Sequence, residues 1–262
     1  MRAAECGGSA RGGPIRASVV SVACLVRGLP LFFCATPRTP LRVLGIVAFD
    51  ILHVLRRSQP LPRQTIRELA MFLDFQGCTN AAWDHKDLCE AEYEAIRQRL
   101  ENAGRGPCID AYLGRLRELE SRRPSIGGDH RRFAEVRSYR EAVARLSITT
   151  AAAIALDAAY LDIRSAQGDG DVETLFRILM LCQIIDDVLD YRKDRSAALP
   201  SFLTASASLE EAMELTAEAA RSYAASRERS SVDAVFPLRV ALYVFTLITR
   251  LVIHVAHPRT QS

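Results

Sequence analysis

From residue 41 onward, apolar residues recur at intervals of three and four with polar ones between them, the period of helices that bury one side. The pattern predicts helices over 41–57, 64–86, 88–103, 108–122, 131–166, 209–227 and 235–255, with a central helix between the turn at 167–171 and Pro200. The breaks between them carry turn chemistry: Pro60 and Pro62, then Gly104 to Pro107, then R-P-S-I-G-G-D from Arg123, then Q-G-D-G-D from Gln167. No useful stretch alternates apolar and polar residues as a strand does, and no fixed-period repeat appears. The expected architecture is all-α, a single-domain helical bundle spanning 41–258 around a central cavity. Residues 1–40 are rich in Gly and Pro and show no clean period. Their apolar run 17–34, with Arg27 and Pro30 inside it, fits either a cleaved secretory leader or a start placed too far upstream.

One stretch stands apart: residues 178–204, I-L-M-L-C-Q-I-I-D-D-V-L-D-Y-R-K-D-R-S-A-A-L-P-S-F-L-T. At about 100° per residue, Gln183, Asp186, Asp187, Asp190 and Asp194 share one arc of a helix. Leu181, Ile184, Ile185, Val188 and Leu189 take the other side. Four like charges on one face repel each other, so a cation relieves the stripe, and hard oxygen donors at this density suit Mg²⁺. A solvated acidic face relieved by Arg192, Lys193 and Arg195 is the plainer reading. A second, looser set lies in L-D-F-Q-G-C-T-N-A-A-W-D-H-K-D, where Asn80, Asp84 and Asp87 fall within about 60° and Asp74 lies nearby. Asp87 equally suits the cap of the next helix, with Glu90 three residues on. Arg137, Arg140 and Arg145 are candidate phosphate donors, since guanidinium offers forked hydrogen bonds to phosphate oxygens.

Composition narrows the classes. Over 262 residues a formal charge of +3, with no basic run interleaved with aromatics, gives no argument for nucleic acid. Seven cysteines without C-x-x-C spacing read as reduced core thiols, which points to the cytoplasm. Mean hydropathy is +0.03, and no stretch reaches eighteen uninterrupted apolar residues, so no integral membrane association is expected. The two nearest stretches, 41–55 and 240–256, are each interrupted by charge and are expected to be buried helices.

The run Q-I-I-D-D-V-L-D-Y resembles the second aspartate-rich motif of the trans-polyprenyl diphosphate synthases, within the wider class I isoprenoid synthases that include terpene synthases. A-A-L-P-S-F-L-T-A downstream resembles that family's T-L-P-x-L-L-A segment, and Ile148-Thr149-Thr150 stands where it has a Lys-Thr pair. The similarity covers about 140–215, with a weaker match over 64–90. It departs from the family at Thr149, in a shortened loop after the second motif, and in a first motif reduced to Asp74, Asn80 and Asp84. The resemblance implies a Mg²⁺-dependent prenyltransferase or terpene synthase that ionises an allylic prenyl diphosphate, with a homodimer open to it. Asp186, Asp187 and Asp190 would be catalytic. Asp194, Asn80, Asp84 and Asp74 would join them as metal ligands, and Gln183, Arg140, Arg145, Arg192 and Lys193 would contact substrate. The missing Lys also suits a catalytically inactive helical paralogue serving as a partner subunit. N-x-x-x-D at Asn80 and Asp84, with the acidic run leading to Pro200, is in addition similar to the membrane-embedded aromatic prenyltransferases, which need several long apolar spans.

Overall fold

In a computed structural model, Asp50 sets the first corner of the bundle. Its buried carboxylate accepts from the Leu61 N–H at 2.8 Å, while His53 Nδ1 lies 2.7 Å from the Gln59 carbonyl, so the chain turns back on itself at Pro60 and Pro62. Helix α1 (Thr39–Arg57) ends at this corner and α2 (Arg63–His85) begins just after Pro62. The order continues with α3 (Glu90–Asn102), α4 (Gly106–Glu120), α5 (His130–Ala155), a 3₁₀ turn at Ala158–Leu161, α6 (Gly170–Leu189), the short α7 (Tyr191–Ser196), α8 (Leu209–Ala224) and α9 (Phe236–Ala256). The structure describes residues 18–20, 22–24, 26, 39–85, 90–126, 130–161, 168–225 and 235–256. Among these every regular element is helical and none is a strand. The all-α reading holds.

Helix α6 is the hub. It starts cleanly because Asp169 caps it, its carboxylate accepting from the N–H groups of Asp171 and Val172 at 3.0 and 3.3 Å. Arg56, at the end of α1, grips both Asp169 and Asp171, and the other oxygen of Asp171 accepts from Val235 N–H at 2.7 Å. One aspartate thus ties α1, α6 and the start of α9 together. Phe176, Met180, Leu181 and Ile184 fill the interior along α6, each contributing on the order of 2 kcal/mol through burial. α5 packs on one side of α6, while α8 and α9 pack on the other. α2 packs against α1, α3 and α5.

Three expectations are corrected. The helix predicted over 131–166 stops at Ala155, because the Asp157 carboxylate accepts from Ala159 N–H at 2.9 Å and draws the chain into the 3₁₀ turn. The helix that was to carry the whole acidic stripe ends at Leu189, and Asp190 (φ −95°, ψ 8°) joins it to α7 at an angle. Finally, α9 is buried on one side only. Leu238, Thr249 and Ile253 face α6 and α8, whereas Tyr243 is 65% exposed and Leu251 61%. Among the described residues this is the one helix long and apolar enough to cross a membrane by length and composition.

Candidate functional site: the acidic end of α6

The two neighbouring aspartates at the end of α6 have opposite fates. Asp187 is 3% exposed, and both its oxygens are taken. Arg140 of α5 donates to Oδ1 at 3.0 Å, and the Phe202 N–H donates to Oδ2 at 2.7 Å. The acceptor of these bonds anchors the segment L-P-S-F-L-T, which folds inward. Ser201, Phe202, Leu203 and Thr204 are all buried, Thr204 Oγ1 accepts from Ser201 N–H at 2.8 Å, and the Phe202 ring lies 5.8 Å from that of Phe133. Asp186, one residue earlier, faces solvent. The division into an acidic and a greasy side therefore fails in the last turn, where Leu189 is 70% exposed and Asp187 is inside.

Asp190 is half-buried, with Lys193 Nζ at 3.5 Å, and Asp194 is buried on α7. Arg192 and Lys193 are exposed. Gln183, one turn before Asp187, has a buried Oε1 without a hydrogen-bond partner, and Arg140 Nε is buried and unpartnered as well. Asp186, Asp187, Asp190, Asp194, Gln183 and Arg140 thus gather around the α6–α7 junction. Arg145 does not join them, because it makes a two-pronged pair with Glu173 at 2.6 and 3.2 Å and lies over the Phe176 ring. Arg137 is held by Glu141, Tyr223 and Ser222. The buried hydroxyls of Thr149 and Thr150, at the family's Lys-Thr position, both turn back to the Leu146 carbonyl.

The second acidic set is dispersed. Asp74 reaches away from α6 to Arg42 of α1 at 2.6 Å. Asn80 is exposed. The side chain of Asp84 and the whole of Asp87 lie outside the described residues. Among the described residues no group of three or more His, Cys, Asp or Glu side chains is placed to hold a metal ion.

Charge and burial work together at the junction. Burial pushes the carboxyl of Asp187 up to about 6, against the pull of Arg140 and the Phe202 N–H. Partial desolvation against the end of α6 raises Asp186 too, exposed as it is, with the charge of Asp190 adding to it, and burial raises Asp194 against the Ser201 hydroxyl and Arg140. In the interval between the unfolded value near 4 and these raised values, the folded chain binds more protons than the unfolded one, so stability falls as pH rises. Unfolding free energy from urea titrations is expected to drop between about pH 4 and about pH 6.5, Asp187 alone accounting for up to roughly 3 kcal/mol. A flat or rising profile over that interval would contradict this account.

Sequence reasoning missed two partners of this site. Phe202 acts through its backbone, so no residue-type pattern announces it; the only signal was the fifteen-residue offset from Asp187 to the turn after Pro200. Arg177 is the other. It lies in the apolar run of α6, yet its guanidinium crosses to α8 and donates to the carbonyls of Tyr223, Ala224 and Ala225. Comparison with protein families, with curated proteins and with solved structures finds no match for this chain.

Proposed function

We propose that the acidic end of α6 takes Mg²⁺ and, through it, the diphosphate of an allylic prenyl substrate. The observation that carries this reading is the gathering of Asp186, Asp190 and Asp194 with the unpartnered Oε1 of Gln183, where desolvation raises Asp186 and Asp194 and the charge of Asp190 adds to it. Asp186 and Asp190, the two least committed carboxylates, suit an ion that takes one or two carboxylates and keeps water and phosphate oxygens for the rest. When bound, the metal stabilises the negative charge of a departing diphosphate. Asp187 positions: it holds Arg140 beside the site, with the unpartnered Nε–H of that guanidinium as a further donor for a phosphate oxygen.

A second reading, a helical subunit without catalysis of its own, is favoured by the fact that Asp74, Arg140 and Arg145 each already have a partner within the chain. A membrane-embedded prenyltransferase is supported least, since a single helix among the described residues has the length and apolarity of a span.

Two measurements separate the first two. Under the metal reading, millimolar Mg²⁺ raises the melting temperature near pH 7 more than near pH 5, because protons compete for the same carboxylates. Asp186→Asn, a solvent-facing change, removes that shift while leaving the fold intact. With geranyl, farnesyl or geranylgeranyl diphosphate, alone or with isopentenyl diphosphate, the same variant lowers diphosphate release at least about tenfold. Absence of both the thermal shift and diphosphate release leaves the subunit reading.

A further inference from the structure

Helix α9 has three sides of different character. One packs on α6 and α8 through Leu238, Thr249 and Ile253. The outer side exposes Val240, Tyr243, Val244, Leu247, Leu251 and Val255, a strip about 23 Å long at about 1.5 Å per residue. Between these two sides runs a groove of about 340 Å³ shared with α6 and α8, floored by Leu181, Ala217, Ala220 and Ile253, with Arg221 and Arg250 at its edge. On the helical wheel Arg239 falls on the same edge as Arg250. Among the described residues none of these three guanidinium groups has a side-chain partner. No acidic residue lies on α9 or lines the groove.

An apolar strip this long is larger than scattered surface residues explain and marks a contact site. The charge at its edge decides what that contact is. Two copies of the chain joined through this face would bring basic edges together with no acid on α9 to pair with them, an arrangement that opposes association. A bilayer that carries anionic headgroups offers the complement to both parts at once. Its acyl boundary receives the apolar side of an interfacial helix, and its phosphates receive arginines that extend from the flank. The aromatic ring of Tyr243 on the strip suits that boundary as well. Arg250, about two-thirds of the way along α9, and the side seated on α6 and α8 argue for lying on the surface and against crossing it.

We propose that α9 docks this protein on an anionic bilayer surface, its outer apolar side in the acyl boundary and Arg221, Arg239 and Arg250 at headgroup level. This inference is independent of the chemistry at the α6–α7 junction. The test is flotation of the full-length chain with vesicles of phosphatidylcholine alone and of phosphatidylcholine mixed with phosphatidylglycerol. The anionic vesicles retain the protein, and added salt releases it. The double variant Arg239→Gln/Arg250→Gln lowers partitioning to them about 25-fold, about fivefold for each arginine. Leu247→Asp/Leu251→Asp, two exposed positions, abolishes retention without changing the circular dichroism spectrum. Equal retention on both vesicle types overturns the proposal. So does protein that resists an alkaline carbonate wash, which identifies a spanning helix. A lipid-free dimer that the leucine double variant dissociates, with no vesicle binding, assigns the face instead to a second copy of the chain.

Discussion

Replacing Arg177 with alanine is expected to cost about 4 kcal/mol, the largest single loss considered for this chain. The side chain is 7% exposed and comes from the middle of the hub helix α6, where an apolar residue would be the ordinary choice. Its Nε and Nη2 donate to three successive carbonyls at the end of α8, those of Tyr223, Ala224 and Ala225. The last carbonyls of a helix have no partner within it and carry the negative end of its dipole, so a buried cation there satisfies both requirements. Hydrogen bonds to a charged group each contribute about 1.5–3 kcal/mol, and part of the loss comes from acceptors left unpaired. Arg177→Lys recovers only a minority of it, since an ammonium cannot span three carbonyls as the guanidinium fork does. Urea denaturation of the two variants tests this: equal stability of the alanine variant and the parent would show that α8 ends without this cap.

Asp187→Ala is expected to lower stability by about 3 kcal/mol near neutral pH, while Asp186→Ala stays within about 0.5 kcal/mol, the usual range for a solvent-facing change. The value for Asp187 is set at the low end of what breaking a buried pair costs, because Arg140 retains some access to water. The loss belongs to the groups left behind. The carboxylate itself is costly to bury, as its raised pKa shows, but without it the Phe202 N–H and the Arg140 guanidinium are stranded together. Thermal melts of the two alanine variants side by side check the contrast. Its practical meaning is that loss of activity in an Asp187 variant would say little about metal binding, whereas loss in an Asp186 variant would say a good deal. Adjacent residues in one motif thus differ in role, one holding the frame and one facing solvent.

The helices were legible because their apolar period is strong and their ends carry Pro, Gly or Asp. Pro62 precedes α2, Pro107 sits in the first turn of α4, and Asp169 caps α6. What escaped was decided by contacts between distant parts of the chain. Periodicity placed Asp187 with its acidic neighbours, yet Arg140, 47 residues earlier, and Phe202, 15 residues later, draw it inside. The break at Asp190 has no Gly or Pro to announce it, and its backbone region is one that other residues of this chain, Arg105 among them, adopt as well, so residue type gives no signal there. The alanine-rich run after Ala151 has high helix propensity, but the Asx turn at Asp157 overrides it locally. For α9, hydrophobicity alone could not tell a helix covered all round from one covered on a single side.

Val20 and Cys24, ahead of α1, also belong to the folded body. Cys24, 3% exposed, sits with Val43, Val47 and Ile51 in a cluster separate from the main core, with Val20, Val54 and Leu55 at its edge. Those three α1 side chains owe their dryness to that small lean-to. Cutting the polypeptide at the Gly- and Pro-rich boundary near residue 40 would strip the covering from α1 and leave a sticky flank where the intact chain has a closed seam.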